Sequence, residues 1–299
     1  MPTFPDHALA PRPRGGAPGR DGIDPGFVLG TKADLTVRLA DGAADIDAAQ
    51  HLRYRVFYEE LEAKPDAKAL ASRRDADRYD AICDHLLVVR EGAAVGSDEI
   101  RVADGELVGT YRLLRQSVAE HSVGFYTQDE FDIAPLIKRH SGLKFLELGR
   151  SCVLKPYRTK PVVELLWQGI WNYVRLYDLD VMLGCASLEG TDPAHHAMAL
   201  SFMAQNSSAP PEWQVSALPG RKVEMNVLPP AKVDAKRALR TLPPLIKGYL
   251  RLGCYIGDGA VIDHQFNTID VLIILPISAI NPRYFSYFGK PGEDPLTQS

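Results

Sequence analysis

Between residues 144 and 188 the chain runs through four contrasting patterns. A strand-like run, KFLELGRSCVL, leads into a basic turn carrying Lys155, Arg158 and Lys160. The long stretch PVVELLWQGIWNYVRLYD follows, and then the apolar run VMLGCASL. In the long stretch Val162, Leu165, Leu166, Gly169, Ile170, Tyr173 and Val174 recur at the helical period, giving one broad apolar face. Pro161 stands at its start, where a helix needs no N–H donor. A helix of this kind set between apolar strands has to lie on a sheet. The rest of the chain keeps the alternation. A strand begins at LTVRLA from residue 35, and a helix is predicted over 44–63, with Asp45 as its N-cap. HLLVVRE and ELVGTYRLL read as two strands of a hairpin, IAPLIKR as a short helix, and 191–205 as a helix capped by Thr191 or Asp192. DAKRALRTLPPLIKGYLRLG is a broken basic helical stretch, and VLIILP a late strand. Interleaved strands and helices place the chain in the α/β or α+β class, with a mixed central sheet flanked by helices.

Bulk properties narrow the function classes. With 299 residues the chain is long enough for a sizeable core, and a net charge of −4 argues against bulk attraction to nucleic acid. Cys83, Cys152, Cys185 and Cys254 are far apart with no metal-ligand spacing, so they read as reduced core thiols and fit a cytoplasmic location. The longest unbroken apolar run, VLIIL, is far below the ~20 residues of a membrane span. Residues 1 to 30, rich in Pro, Gly and Arg, read as a disordered arm, and 31–299 as one domain.

One set of ionisable residues stands out: Arg53 on the first helix, Asp77 and Asp80 in the loop after it, Arg112 on a strand, and Glu147 with Arg150 on another. Charges on the inner face of a sheet must pair, because a lone buried ion costs several kcal/mol. The set reads either as a site or as a structural ion-pair network.

The order of these residues resembles the acyl-homoserine-lactone synthases, which have a GNAT-like acyltransferase fold. The likeness covers about residues 50 to 180. It rests on Arg53 and Phe57 on the first helix, the pair Asp77 and Asp80, Gly109 with Arg112, and Glu147 with Arg150. The tryptophan expected after the first helix is missing; EELEAKPDA stands there. From about 33 to 289 the chain resembles the L-ornithine Nα-acyltransferases more closely. LELGRSCVLKPYRTKPVVELLWQGI, GCASLEGTDPAHHAMALSF and LPPLIKGYLRLGCYIGDGAVIDHQFNTIDVLIILP carry this likeness. The last block, part of a C-terminal extension from about 205, is its most specific part. Its bland reading is a turn and a strand, with Gly257 and Gly259 bending the chain and Asp263 and Asn267 capping turns.

The resemblance implies transfer of a 3-hydroxyacyl chain from acyl carrier protein to the α-amine of ornithine, the first step of ornithine-lipid synthesis. It implies no bound cofactor; the 3-hydroxyacyl-phosphopantetheine of the carrier is a co-substrate. Glu147 is then the general base, with Arg150 and Arg112 beside it as the other catalytic residues. Backbone N–H groups at a bulge expected after Arg150, near Cys152, Val153 and Leu154, would hold the thioester oxygen. The turn YRTKPV keeps Arg158 of the GNAT pyrophosphate loop but lacks its glycines. It therefore suits a single phosphate, met by Lys155, Arg158 and Lys160. Arg53 or Arg112 would clamp the α-carboxylate, and Phe57 belongs to the same substrate site. Asp77, Asp80, Asp258 and Asp263 are the candidates for the δ-ammonium. The alternatives are a lactone synthase, an N-acyltransferase of glutamine, glycine or lysine, and a non-catalytic protein that binds acyl carrier or membrane. The basic stretch from Lys232 to Arg251 admits a peripheral contact with the inner face of the cell membrane.

Overall fold

The structure, a computed structural model, describes residues 23–92, 99–281 and 284. Its strands are β1 (Val28–Lys32), β2 (Leu35–Leu39), β3 (Asp84–Arg90), β4 (Arg101–Val102) and β5 (Gly105–Arg115), then β6 (Phe145–Val153), β7 (Val181–Glu189), β8 (Lys222–Val223), β9 (Tyr255–Asp263) and β10 (Thr268–Pro276). Among the described residues they form one sheet in the order β1-β2-β3-β5-β6-β7-β10-β9-β8, with β4 on the end of β5. Every neighbouring pair is antiparallel except β6 and β7. That parallel pair needs a long crossover, which the helix predicted from Pro161 supplies as α5 (Lys160–Leu176). The sheet is mixed and flanked by helices, as the sequence pattern predicts.

The two faces carry different helices. On one, α5 lays Val162, Leu165, Leu166, Ile170 and Tyr173 against Val37, Leu86 and Val88 of β2 and β3. Gly169 permits that approach, since a Cβ there would stand 2.7 Å from Val37. On the other face α1 (Ala43–Tyr54) packs Ala48, Ala49 and Leu52 over Leu87, Val89 and Leu107. The short helices α2 (Ala67–Ser72), α3 (Gln116–Ala119) and α4 (Ala134–Arg139) lie in the connections between strands, and α6 (Ala197–Asn206), α7 (Ala235–Thr241) and α8 (Pro244–Leu252) come later. The α1 face holds two separate apolar clusters. One lies under α1, and the other gathers Phe131, Ile133, Phe145, Leu183 and Leu272.

Several boundaries differ from the sequence reading. Asp45 is not the N-cap of α1. Gly42 takes that place, and Asp45, in the first turn, accepts from Asp41 N–H at 2.8 Å and pairs with Arg38 at 2.5 Å. The helix predicted to 63 continues beyond Tyr54 as a π-helical turn, Arg55–Glu60. α6 starts at Ala197, because residues from Thr191 to His196 form turns. Residues 1–22 of the expected arm lie outside the described residues, but its last positions, from Val28, already belong to β1. The C-terminal extension supplies β9 and β10, and β10 pairs with β7 along its whole length, so it completes the central sheet.

Candidate active site

β6 and β7 hold the parallel register only from Phe145↔Val181 to Glu147↔Leu183, although both strands run six residues further. Gly184 sits where they part. A Cβ there would fall 2.3 Å from Leu148 O. On its other edge β6 carries a bulge. The ladder with β5 passes from Thr110↔Cys152 to Arg112↔Gly149, so Arg150 and Ser151 together face Tyr111. Arg150 adopts φ +51. Spacing of three puts Glu147 and Arg150 on opposite faces of a regular strand. The bulge returns Arg150 to the face of Glu147, and both line one cleft of about 410 Å³. The bulge lies before Cys152, not at Cys152 to Leu154 as the sequence suggests, and Leu154 N–H donates to Val108 O at 2.9 Å. Cys152 and Leu154 are buried in the cluster under α1, closed off from an incoming carrier. Burial pushes the Cys152 thiol far up, which disfavours a nucleophile.

Three arginines and three aspartates close a ring between the two apolar clusters. Arg53 reaches Asp75 and Asp80, each at 2.8 Å. Arg112 reaches Asp80 at 3.1 Å and Asp77 at 2.7 Å. Arg150 reaches Asp77 at 3.2 Å and Asp75 at 3.1 Å. Each guanidinium touches two carboxylates and each carboxylate two guanidiniums, so the ring is neutral. Burial alone would raise Asp80, but Arg53 and Arg112 hold it at about 2. Asp75 escaped the sequence reading, although DADRYD places it two residues before Asp77. The ring corrects two expectations. Arg53 is 1% exposed and Asp80 5%, so neither is free to take a substrate. Asp77 is also spent inside the ring. Arg112 and Arg150 reach the cleft. The Arg150 guanidinium is sandwiched between the rings of Tyr126 and Phe266, 4.9 and 4.5 Å from their centroids.

Glu147 stands apart from the ring. Its carboxylate accepts N–H bonds from Tyr126 at 3.0 Å and Thr127 at 2.7 Å, at the start of the 3₁₀ turn Tyr126–Asp129. Burial raises its pKa, opposed by those bonds and by Arg112. Phe57, on the π-helical turn, lines the cleft and meets Phe266 edge-on at 5.6 Å. Asp263 lines it too, while accepting from Gln265 N–H and Phe266 N–H at 2.7 and 2.9 Å in the β9–β10 turn. Asp258 does not: it binds Lys222 at 2.6 Å and Ser216 at 3.0 Å, beside a different pocket. Asp270, a lone carboxylate in the apolar run of β10, also lines the cleft. That contrast was a legible signal that the sequence reading passed over.

Of the basic turn, Lys155 is exposed, and Arg158 makes a bidentate pair with Glu60 at 2.6 and 2.8 Å and donates to Val153 O. Lys160 lies 3.4 Å from Glu164. Between the parted strands a gap of about 30 Å³ is lined by Leu148–Ser151 and Met182–Ala186. Met182 also borders an apolar pocket of about 290 Å³ between α5 and α8, walled by Trp167, Ile170, Trp171 and Leu252. The polar cleft, the gap and the apolar pocket therefore share walls.

Residues 52–168 match the acetyltransferase (GNAT) domain model. The chain is 53% identical over 262 residues to the L-ornithine N(alpha)-acyltransferase of Rhizobium meliloti (strain 1021), covering 88% of this chain and 86% of that one. It is 35% identical over 254 residues to the L-ornithine N(alpha)-acyltransferase of Rhodobacter capsulatus, covering 85% and 94%. Among solved structures it is similar to FeeM, an N-acyl amino acid synthase from uncultured soil microbes, at a TM-score of 0.45 and 13% identity, covering 84% and 97%.

Proposed function

The chain belongs to the L-ornithine N(alpha)-acyltransferases, acyltransferases with a GNAT domain, and from that premise we propose that it moves a 3-hydroxyacyl chain from acyl carrier protein to the α-amine of ornithine. The observation that carries this reading is the meeting of Glu147 and Arg150 with a cleft that opens where β6 and β7 part. The phosphopantetheine arm enters between the parted strands. Its phosphate lies over the N-terminus of α5, near Lys155, Arg158 and Lys160, where unpaired N–H groups favour an anion. The acyl chain continues past Met182 into the apolar pocket beside α8.

Chemistry then needs a neutral amine. Glu147 takes a proton from it, directly or through a water, and its burial-raised pKa suits that exchange better than an exposed carboxylate would. The amine attacks the thioester carbonyl, backbone N–H groups at the Arg150–Ser151 bulge hold the oxygen as it gains charge, and the carrier thiol leaves with the proton. The C–N bond forms as the C–S bond breaks, and no acyl-enzyme intervenes. Arg150, whose side chain keeps 12% exposure on the cleft wall against 5% for Arg112 and 1% for Arg53, is the ring member placed to orient the α-carboxylate, while Arg112 and Arg53 act through the ring. The product is the single-chain precursor of a two-chain ornithine lipid, so contact with a membrane surface belongs to the same proposal.

The test is purified enzyme with a 3-hydroxyacyl carrier protein and a panel of amino acids, with product mass read directly. Acylation of ornithine and loss of turnover in Glu147→Gln, with carrier binding kept, are expected. Unchanged turnover in that variant rejects Glu147 as base. Trapping an acylated polypeptide rejects direct transfer.

A further inference from the structure

The cleft carries a second group of ionisable side chains that the ring and Glu147 do not use. Asp263 ends β9, Asp270 lies in β10, and Glu130 follows the 3₁₀ turn on which Glu147 rests. One carboxylate oxygen from each falls within 4.8 Å of the others. The three residues are 9%, 5% and 2% exposed, so this is an interior cluster that opens to the cleft through Asp263 and Asp270. Two of its oxygens, Glu130 Oε2 and Asp270 Oδ1, are buried with no hydrogen-bond partner. Buried acceptors are rarely left without donors unless a ligand or solvent supplies them.

The charges around the cluster do not balance it. Arg221 Nη2 lies 3.9 Å from Glu130 and is 40% exposed. Arg150 acts on Asp270 from the cleft side but is already bound to Asp75 and Asp77. The remaining titratable neighbours are the Cys185 thiol and the Tyr126 phenol, both neutral at physiological pH because burial raises them. Among the described residues three carboxylates thus gather beside the cleft, two of them on its wall, against one half-exposed partner, Arg221, at 3.9 Å from Glu130.

We infer that Glu130, Asp263 and Asp270 form the receptor for the side-chain ammonium of the amino acid whose α-amine is acylated. This rests on the reading of the protein as an amino-acid N-acyltransferase. An alkylammonium brings three N–H donors and one positive charge, matching acceptors on three sides. A neutral side chain of similar shape would leave those acceptors unpaired, and a site built on buried polar groups rejects such an analogue strongly. Burial and mutual repulsion hold Glu130 and Asp270 above the ordinary carboxylate range. A bound ammonium lowers these raised values and so releases protons near neutral pH.

Norvaline, which is ornithine without its δ-ammonium, gives the control. In calorimetry run in buffers of different ionisation enthalpy, ornithine should bind and release more protons near neutral pH than norvaline. In turnover with a 3-hydroxyacyl carrier protein, the loss of kcat/KM in Asp270→Asn or Glu130→Gln should be about 10- to 100-fold larger for ornithine than for norvaline, the range of a charge-assisted hydrogen bond. Equal losses on both acceptors, wild-type use of norvaline as readily as ornithine, equal proton release, or ornithine turnover that requires a divalent cation would each overturn the receptor. Ornithine bound with the expected proton release but never acylated would overturn the acyltransferase reading and leave the receptor standing. The calorimetry needs only wild-type protein, so a variant that fails to fold does not blunt the test.

Discussion

Asp80 accepts from both Arg53 and Arg112 inside a closed ring, so removing its charge strands two guanidiniums in the interior. Asp80→Asn should cost roughly 3–5 kcal/mol at neutral pH, measured by denaturant unfolding. The sign with pH follows from its depressed pKa: the stabilisation is full above the ordinary Asp pKa and is lost as pH falls from there through about 2. Glu130 behaves in the opposite way. Its pKa is raised, so the folded state binds a proton that the unfolded state has lost, and stability falls as pH rises from the carboxylate range toward neutrality. Glu130→Gln should match the wild type in thermal unfolding at mildly acidic pH and exceed it by on the order of 2 kcal/mol at alkaline pH. Equal curves at both would mean the cluster is not ionising in the interior. At this scale the sequence exposed five of the six ring residues, because their types and order are the carriers of the family likeness. It could not tell that Arg53 and Asp80 serve each other, since pairing depends on distances across 27 residues of chain.

The parting of β6 and β7 is a property of elements, and Gly184 is its most sensitive point. Gly184→Ala puts a Cβ 2.3 Å from Leu148 O, a backbone atom that cannot swing away. The strands must shift, so a loss of about 1–3 kcal/mol in stability and a larger loss in acyl transfer are expected, read by thermal unfolding and product mass. Gly248 on α8 tests the acyl path without that strain. A Cβ there meets Trp167 at 3.9 Å, an ordinary contact, and the residue borders the apolar pocket. Gly248→Leu should fill the pocket, shift preference toward shorter 3-hydroxyacyl carriers in a competition assay, and leave the melting temperature unchanged or higher. An unaltered chain-length profile would move the acyl chain elsewhere. Helix α5 and strands β3, β5, β6 and β7 were legible because burial on one or both faces writes a period into the sequence. The bulge at Arg150–Ser151 left no such mark; the odd spacing of Glu147 and Arg150 was its one trace.

For the molecule as a whole, a net charge of −4 conceals a local excess of the other sign. Lys232, Lys236, Arg237 and Arg240 on and before α7, with Arg251 at the end of α8, are exposed, and Arg251 borders the apolar pocket. No helix among the described residues is long and apolar enough to cross a membrane. Contact through this edge should appear as binding to vesicles rich in anionic lipid, weakened by salt and by charge reversal at Lys236 and Arg240. Salt-independent binding would argue for an apolar contact instead. The sequence by itself determined the class of fold, the order of most strands and helices, the family, and the residue types from which a site could be made. These are written locally, in periods of two and 3.6 residues and in short ordered motifs. Only the tertiary structure decided which charges are spent on one another, which side of β6 Arg150 faces, that Asp258 lies outside the site, and that Glu130 and Asp270 join Asp263. Those outcomes depend on strand register and on the meeting of segments from 27 to 140 residues apart in the chain, and no local pattern encodes them.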